Sequence, residues 1–162
     1  MRSLVGSTPA LFRQAAFDIM SHDTFCGNIP AGLLYDPEYD MWVRIEGEEV
    51  MIGATAFGIF LAGEIIAFTA KPRGAEVECG RGLGTVECAK TVLAVHAPIS
   101  FVLNQANENL EERAAPVNGD PYGAGWMVRG RPMAWETESK RLMDFAAYRN
   151  HILKQEPEAK FS

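Results

Sequence analysis

The sequence predicts a mainly β fold, an all-β sandwich or barrel with helices at both ends. Two observations predict it. From Trp42 to Arg131, short β-prone runs alternate with Gly, Pro and Asn, the spacing expected of strands joined by turns. The 15 glycines and 9 prolines are also too many for a helical bundle and suit a chain that turns often. A length of 162 residues corresponds to about one domain, long enough to bury a core without disulfides or metal.

The elements follow in order. Residues 1–17 hold two arginines and no acid before Asp18, a bias shared with organellar transit peptides. Their apolar spacing reads as a short helix, capped by Ser7 or Thr8, with Pro9 in the first turn and Leu11, Phe12, Ala15, Ala16, Ile19 and Met20 on one face. MWVRIE and EVMIGA flank Glu46-Gly47-Glu48 as a hairpin. TAFGIFLAG (55–63) reads as one helical turn or a buried loop. GEIIAFTA (63–70) runs into the turn Lys71-Pro72-Arg73-Gly74, and AEVECG, GLGTVEC, TVLAVHAP and ISFVLNQ supply further strands. ANENLEER (106–113) reads as a short exposed helix, and NGDPYGAGW (118–126) as a dense turn cluster. In the last thirty residues Trp135, Leu142, Phe145, Ala146, Ile152 and Leu153 return to helical spacing, with Thr137 or Ser139 as cap and Pro157 as stop.

Charge narrows the function. Fifteen basic against 21 acidic residues leave a net −6, and no basic face of the kind that binds phosphates is visible, which excludes nucleic acid as a partner. No run approaches the ~20 apolar residues of a membrane span. Cys26, Cys79 and Cys88 are too few for a disulfide framework and point to a reducing, cytoplasmic setting, or the mitochondrial matrix in a eukaryote. No CxxC occurs, and His22, His96 and His151 are too scattered for a local metal site.

Catalytic constellations are missing too. There is no GxSxG, Walker loop or HExxH. GRGLG (80–84) has no helix after it and reads as strand turns. Glu48-Glu49 and Glu111-Glu112 read as solvated faces. One residue differs. Lys90 stands between two strand-like runs and belongs to no charge run; a β-turn there would hold its amine in solvent, ready for acylation. Spacing alone favours an ordinary surface lysine.

The residues around Lys90 carry a family resemblance. The H-protein of the glycine cleavage system typically reads G-x-V-E-S-V-K-A and then a P-V-S-G turn. This chain reads Gly84-Thr85-Val86-Glu87-Cys88-Ala89-Lys90-Thr91 and then Pro98-Ile99-Ser100-Phe101. The family signature N-x-D-P-Y-G-x-G-W is matched from Asn118 to Trp126, and Tyr35 through Trp42-Val43-Arg44 is similar to its opening strand, with one extra residue and no His. The methionines that flank the lysine of biotin carriers are absent.

The resemblance implies a flattened barrel-sandwich hybrid with Lys90 at a hairpin tip, an N-terminal extension (1–28), a carrier domain (29–132) and a C-terminal helix packed on it (133–162). It implies lipoate in amide linkage to Lys90, with Glu87 recognised by the lipoate-protein ligase or lipoyl transferase. Cys88 would be a contact of the arm or a small apolar filler. His96 would line a groove for the arm or be a hydrogen-bonded structural histidine. Such a carrier is not itself an enzyme. A tethered arm makes each delivery effectively intramolecular.

Leu61-Ala62-Gly63, Lys71-Pro72-Arg73-Gly74 and Cys26-Gly27-Asn28-Ile29-Pro30 resemble another branch, the lipoate-binding proteins of heterodisulfide-reductase-like sulfur oxidation. On them the expectation leans to that pathway, with the glycine cleavage system as the alternative. Partners would be dihydrolipoamide dehydrogenase and either a heterodisulfide-reductase-like complex or the glycine cleavage enzymes. A non-lipoylated docking module is a further alternative. An enzyme using Lys90 as nucleophile lacks an adjacent base.

Overall fold

A computed structural model describes residues 24–162; the helix expected before them lies outside the described residues. Most of the strands are those expected. β1 (Cys26–Gly27) and β2 (Leu34–Asp36) precede a hairpin of β3 (Met41–Glu46) and β4 (Glu49–Ala54). Glu46 pairs with Glu49, so the loop is Gly47-Glu48, and Gly47 takes φ 65°, a value that a residue without Cβ adopts freely. Then come α1 (Ala56–Ala62), β5 (Ile65–Ala70), β6 (Glu76–Val77), β7 (Gly82–Cys88), β8 (Val92–His96) and β9 (Phe101–Ala106). α2 (Ala115–Gly119), β10 (Val128–Pro132), α3 (Trp135–Glu138), α4 (Phe145–Gln155) and β11 (Lys160–Phe161) complete the chain.

The strands form a six-stranded antiparallel sheet in the order β2-β3-β4-β10-β9-β6, a three-stranded sheet β5-β7-β8 and a parallel pair β11-β1. The sheets do not close into a continuous barrel; their inner faces share one core, from Trp42, Ile52 and Phe101 on one side to Phe68, Leu83, Val86 and Val95 on the other. Burial alternates along β7, with Val86 and Cys88 inside and Thr85 and Glu87 outside, as the period of two requires.

Three elements depart from the sequence reading. Residues 55–63 form neither a single turn nor a loop but a helix, because the Thr55 side chain accepts a hydrogen bond from the Gly58 N–H at 3.0 Å and Phe57 and Leu61 bury one face. In 106–113 only Glu108–Glu111 turns, as a 3₁₀ helix, and its Leu110 is wholly buried rather than exposed. β10 shows no apolar run, yet it lies between β4 and β9. Gly130 makes that possible: a Cβ there would sit 2.3 Å from the Val102 carbonyl oxygen.

The C-terminal segment is broken rather than continuous. α3 and a 3₁₀ turn (Ser139–Arg141) end before α4, whose cap is Asp144, accepting from the Ala147 N–H at 2.9 Å, in place of Thr137 or Ser139. Tyr148 and Ile152 bury the inner face of α4. Tyr148 stacks on Tyr35 at 4.7 Å and donates to the Asp40 carboxylate at 2.8 Å. β11 pairs with β1, joining both ends of the described chain.

Candidate functional site

Lys90 lies at the tip of the β7–β8 hairpin. Glu87 pairs with Val92, and Cys88 and Thr91 exchange backbone hydrogen bonds at 2.8 and 3.4 Å, which leaves Ala89 and Lys90 as a two-residue loop. Both keep negative φ, so neither needs to be glycine. The hairpin is held by its inward residues Leu83, Val86, Leu93 and Val95, all buried. Lys90 is exposed and makes no hydrogen bond or ion pair with any described residue.

The four residues singled out by sequence are not one cluster. Glu87 points outward on the Lys90 side of the sheet, its carboxylate unpaired among the described residues. Cys88 points the other way, is 5 % exposed, and burial pushes its thiol up. His96 lies at the far end of β8, about 20 Å along the strand at ~3.3 Å per residue. Its Nδ1 is 2.9 Å from the Gly80 carbonyl oxygen and its ring stacks on Tyr39 at 4.9 Å. If Nδ1 carries the proton for that bond, buried Nε2 is a lone pair without a partner among the described residues.

Sequence reasoning missed the polar group around His96. Arg141 donates from Nη2 to Asp36 and Glu38 and from Nη1 to the Pro98 carbonyl oxygen at 3.0 Å, with the Cys79 sulfur 3.3 Å away. Asp36 is 0 % exposed; burial raises its carboxyl despite Arg141 and the Glu38 and Tyr39 N–H groups, which lower it. Burial likewise raises the Cys79 thiol, with Arg141 opposing. No local spacing signals this, since its members come from four separate stretches of chain. Among the described residues no group of three or more His, Cys, Asp or Glu could hold a metal ion.

The motif from Asn118 to Trp126 acts on the site from behind. The Asn118 amide accepts from the Ile65 N–H and donates to the Ile65 carbonyl, both at 2.9 Å, imitating a neighbouring strand along the edge of β5. The Pro121 carbonyl accepts from Trp42 Nε1 at 3.0 Å and that of Tyr122 from Arg44. Tyr122 Oη accepts from the Ala56 N–H at 2.9 Å and donates to the Asn28 carbonyl at 2.6 Å. A Cβ at Gly125 would come within 2.5 Å of the Pro116 carbonyl oxygen, so the turn admits only glycine without rearrangement. The motif therefore braces β5, and β5 carries β7 and Lys90.

Comparison with known proteins gives one consistent answer. The family model described as "Glycine cleavage H-protein" matches residues 33–155. Curated relatives named "Glycine cleavage system H protein" include those of Bacteroides thetaiotaomicron, 34 % identical over 122 residues (75 % of this chain, 95 % of the relative), and Corynebacterium jeikeium, 36 % identical over 124 residues (74 % and 94 %). The crystal structure of a glycine cleavage system H protein from Mycobacterium marinum superposes with a TM-score of 0.67 at 27 % identity, covering 76 % of this chain and 98 % of that one. These matches correct the lean toward sulfur oxidation, which they do not support. The short segments behind that lean are a helix end, a turn and the stretch around β1, where local turn chemistry says little about a partner. On the match across residues 33–155 and the identities above, the chain belongs to the glycine cleavage H-protein family.

Proposed function

We propose that this protein is a lipoyl carrier of the glycine cleavage system, with lipoate attached through an amide to Lys90. One observation carries the reading: within the segment matched by the family model, a lysine without a partner among the described residues is held at the exposed tip of a two-residue hairpin whose base is buried. The residues suit the group. Among the described residues the amine is engaged by no carboxylate, and Ala89, Lys90 and Thr91 at the tip are all exposed.

Bound lipoate supplies a dithiolane that can be reduced, loaded and reoxidised. The chain's residues contribute position. The buried strands of the hairpin fix the root of the arm, and the absence of residues with φ > 0 at the tip keeps the turn within ordinary conformations. Tethering then raises the concentration of the cargo at each partner's active site. Glu87, three residues before Lys90 and facing outward, is placed to be read by the lipoylating enzyme. Cys88, facing the core, fits the small-filler role better than contact with the arm. His96, far along β8 and bonded to Gly80, fits a structural role.

On this reading the protein is a substrate of its partners and not a catalyst. Those partners are a lipoate-protein ligase or lipoyl transferase, dihydrolipoamide dehydrogenase and the other glycine cleavage enzymes. The carrier function belongs to residues 29–132, and the three free cysteines fit a reducing, cytoplasmic setting. Intact mass spectrometry of the protein from lipoate-replete cells should show one lipoyl adduct mapping to Lys90, lost in Lys90→Arg. An unmodified wild-type chain would overturn the proposal and favour a docking module without lipoate.

A further inference from the structure

The segment that carries the family match, residues 33–155, leaves out both strands of the small parallel pair, β1 and β11. That pair is nonetheless built into the core. The Lys160 N–H donates to the Phe25 carbonyl and the Ser162 N–H to the Gly27 carbonyl, both at 2.9 Å. Phe25 is 2 % exposed and meets the rings of Phe57, Phe60 and Phe161 edge-on at 5.3, 5.5 and 6.3 Å. Gly27 lets β1 lie against α1, since a Cβ there would sit 2.6 Å from the Phe25 ring and 3.4 Å from Ala56 Cβ. β1 thus adds a wall beside the Asn118–Trp126 motif.

Between this wall, α1 and the motif runs a groove of about 360 Å³. Phe25, Ile59 and Phe60 make one side apolar, and Asn118, Gly119 and Asp120 make the other polar. Ile59 and Phe60 are only half-buried, whereas Phe57 and Leu61 of the same helix are buried. Asp120 holds its turn through one oxygen, accepting from the Ala124 N–H at 2.9 Å, and has no cation among the described residues.

Chain course, size and charge identify the occupant. Twenty-three residues precede Thr24, and they join the fold at the groove wall, since the next residue, Phe25, lines it. Their sequence repeats Leu11, Phe12, Ala15, Ala16, Ile19 and Met20 at the spacing of one helical face. Ile19 is six residues from Phe25, a span of at most about 20 Å. The groove is at the small end of the ~300–1,000 Å³ range of ligand sites, so it takes a few side chains of such a face rather than a folded partner. Residues 1–17 carry Arg2 and Arg13 and no acid, which complements the Asp120 carboxylate.

We infer that residues 11–20 of this chain are the ligand of the groove, with Phe12, Ala16 and Ile19 seated against Phe25, Ile59 and Phe60, and Arg13 toward Asp120. The extension is then an intramolecular partner, added to the family fold together with the strand that receives it. Modest contacts suffice, because a segment tethered by a few residues has a local concentration on the order of mM. Lys90 plays no part in it.

The test is disulfide trapping in the full chain. Ala16→Cys supplies a thiol on the segment, and Gly119→Cys supplies one on the opposite wall, where a Cβ meets nothing within 4 Å. Cys26→Ser removes the native thiol that lines the groove. Near-ultraviolet circular dichroism checks that each variant stays folded. Mild oxidation should give a monomer linked between positions 16 and 119, mapped by peptide mass. Adding Phe12→Asp and Ile19→Asp should slow its formation by about tenfold or more, since each removes a large apolar side chain from a buried contact. Arg13→Glu should slow it as well, and Arg13→Lys should not. Trapping at the same rate with and without the Asp substitutions would overturn the inference, because it would mark random encounters of a tethered chain. No linked monomer would overturn it, and disulfide-linked dimers in its place would assign the groove to a second copy and overturn it too.

Discussion

Replacing Asn118 tests the claim that a side chain supplies the missing neighbour of β5. Asn118→Ala removes the two 2.9 Å bonds to Ile65 and a weaker 3.3 Å bond to the Ala114 carbonyl. Each net hydrogen bond contributes about 1 kcal/mol, and stripping partners from a buried strand edge adds desolvation, so a loss of about 2–3 kcal/mol is expected. At roughly 2–4 °C per kcal/mol for a chain of this size, the melting temperature should fall by about 5–10 °C. Asn118→Asp is the sharper probe. It retains the acceptor facing the Ile65 N–H but sets a second carboxylate oxygen against the Ile65 carbonyl. Its neutral form restores the donor, so the folded-state pKa of Asp at 118 should lie above the unfolded value. A group raised in this way contributes stability that is present below the unfolded pKa and lost as pH rises through the folded one. Urea unfolding should therefore find the gap between Asn118→Asp and wild type widening from about pH 4 to pH 7. An Asn118→Asp protein as stable as wild type at pH 7, or a gap independent of pH, would refute the account of the amide as a strand mimic.

Other residues offer separate checks. Gly84→Ala would place a Cβ 2.4 Å from the Thr69 carbonyl oxygen and 2.9 Å from Ala70 Cα, forcing β5 and β7 apart; a loss of about 1–3 kcal/mol should appear in thermal unfolding. Burial raises Asp36, so its contribution to stability is fully present below the unfolded carboxylate pKa and declines as pH rises through the folded value. Asp36→Asn should flatten that part of the stability–pH curve measured by urea titration. Cys88→Ser buries a hydroxyl in place of a thiol and should cost about 1–3 kcal/mol in chemical denaturation. Ligase assays on that variant should still find normal lipoylation and loading of Lys90; impaired loading would restore the arm-contact role.

The strands were readable where burial has a period. GLGTVEC is β7 residue for residue, because its alternating Val86 and Cys88 face the core and Thr85 and Glu87 face water. VRGRP also alternates, but its inward positions are Val128, which is buried, and Gly130, which fits against the Val102 carbonyl and has no side chain to mark the period. The cap of α4 was misplaced for a related reason. Thr137, Ser139 and Asp144 are all competent cap residues, and only the pairing of Tyr35 with Met143 determines where the chain turns into the helix.

The sequence by itself determined the composition of a turn-rich β domain, the family likeness and the isolation of Lys90, because these depend on residue order and local backbone preference. Tertiary structure decided which of its neighbours share a face with that lysine. Strand pairing sets Glu87 beside Val92 and turns Cys88 inward, and it carries His96 to the opposite end of the sheet. It also gathers Asp36, Cys79 and Arg141 from distant segments. Contacts of that kind arise from the packing of sheets about a common core, which no local spacing encodes.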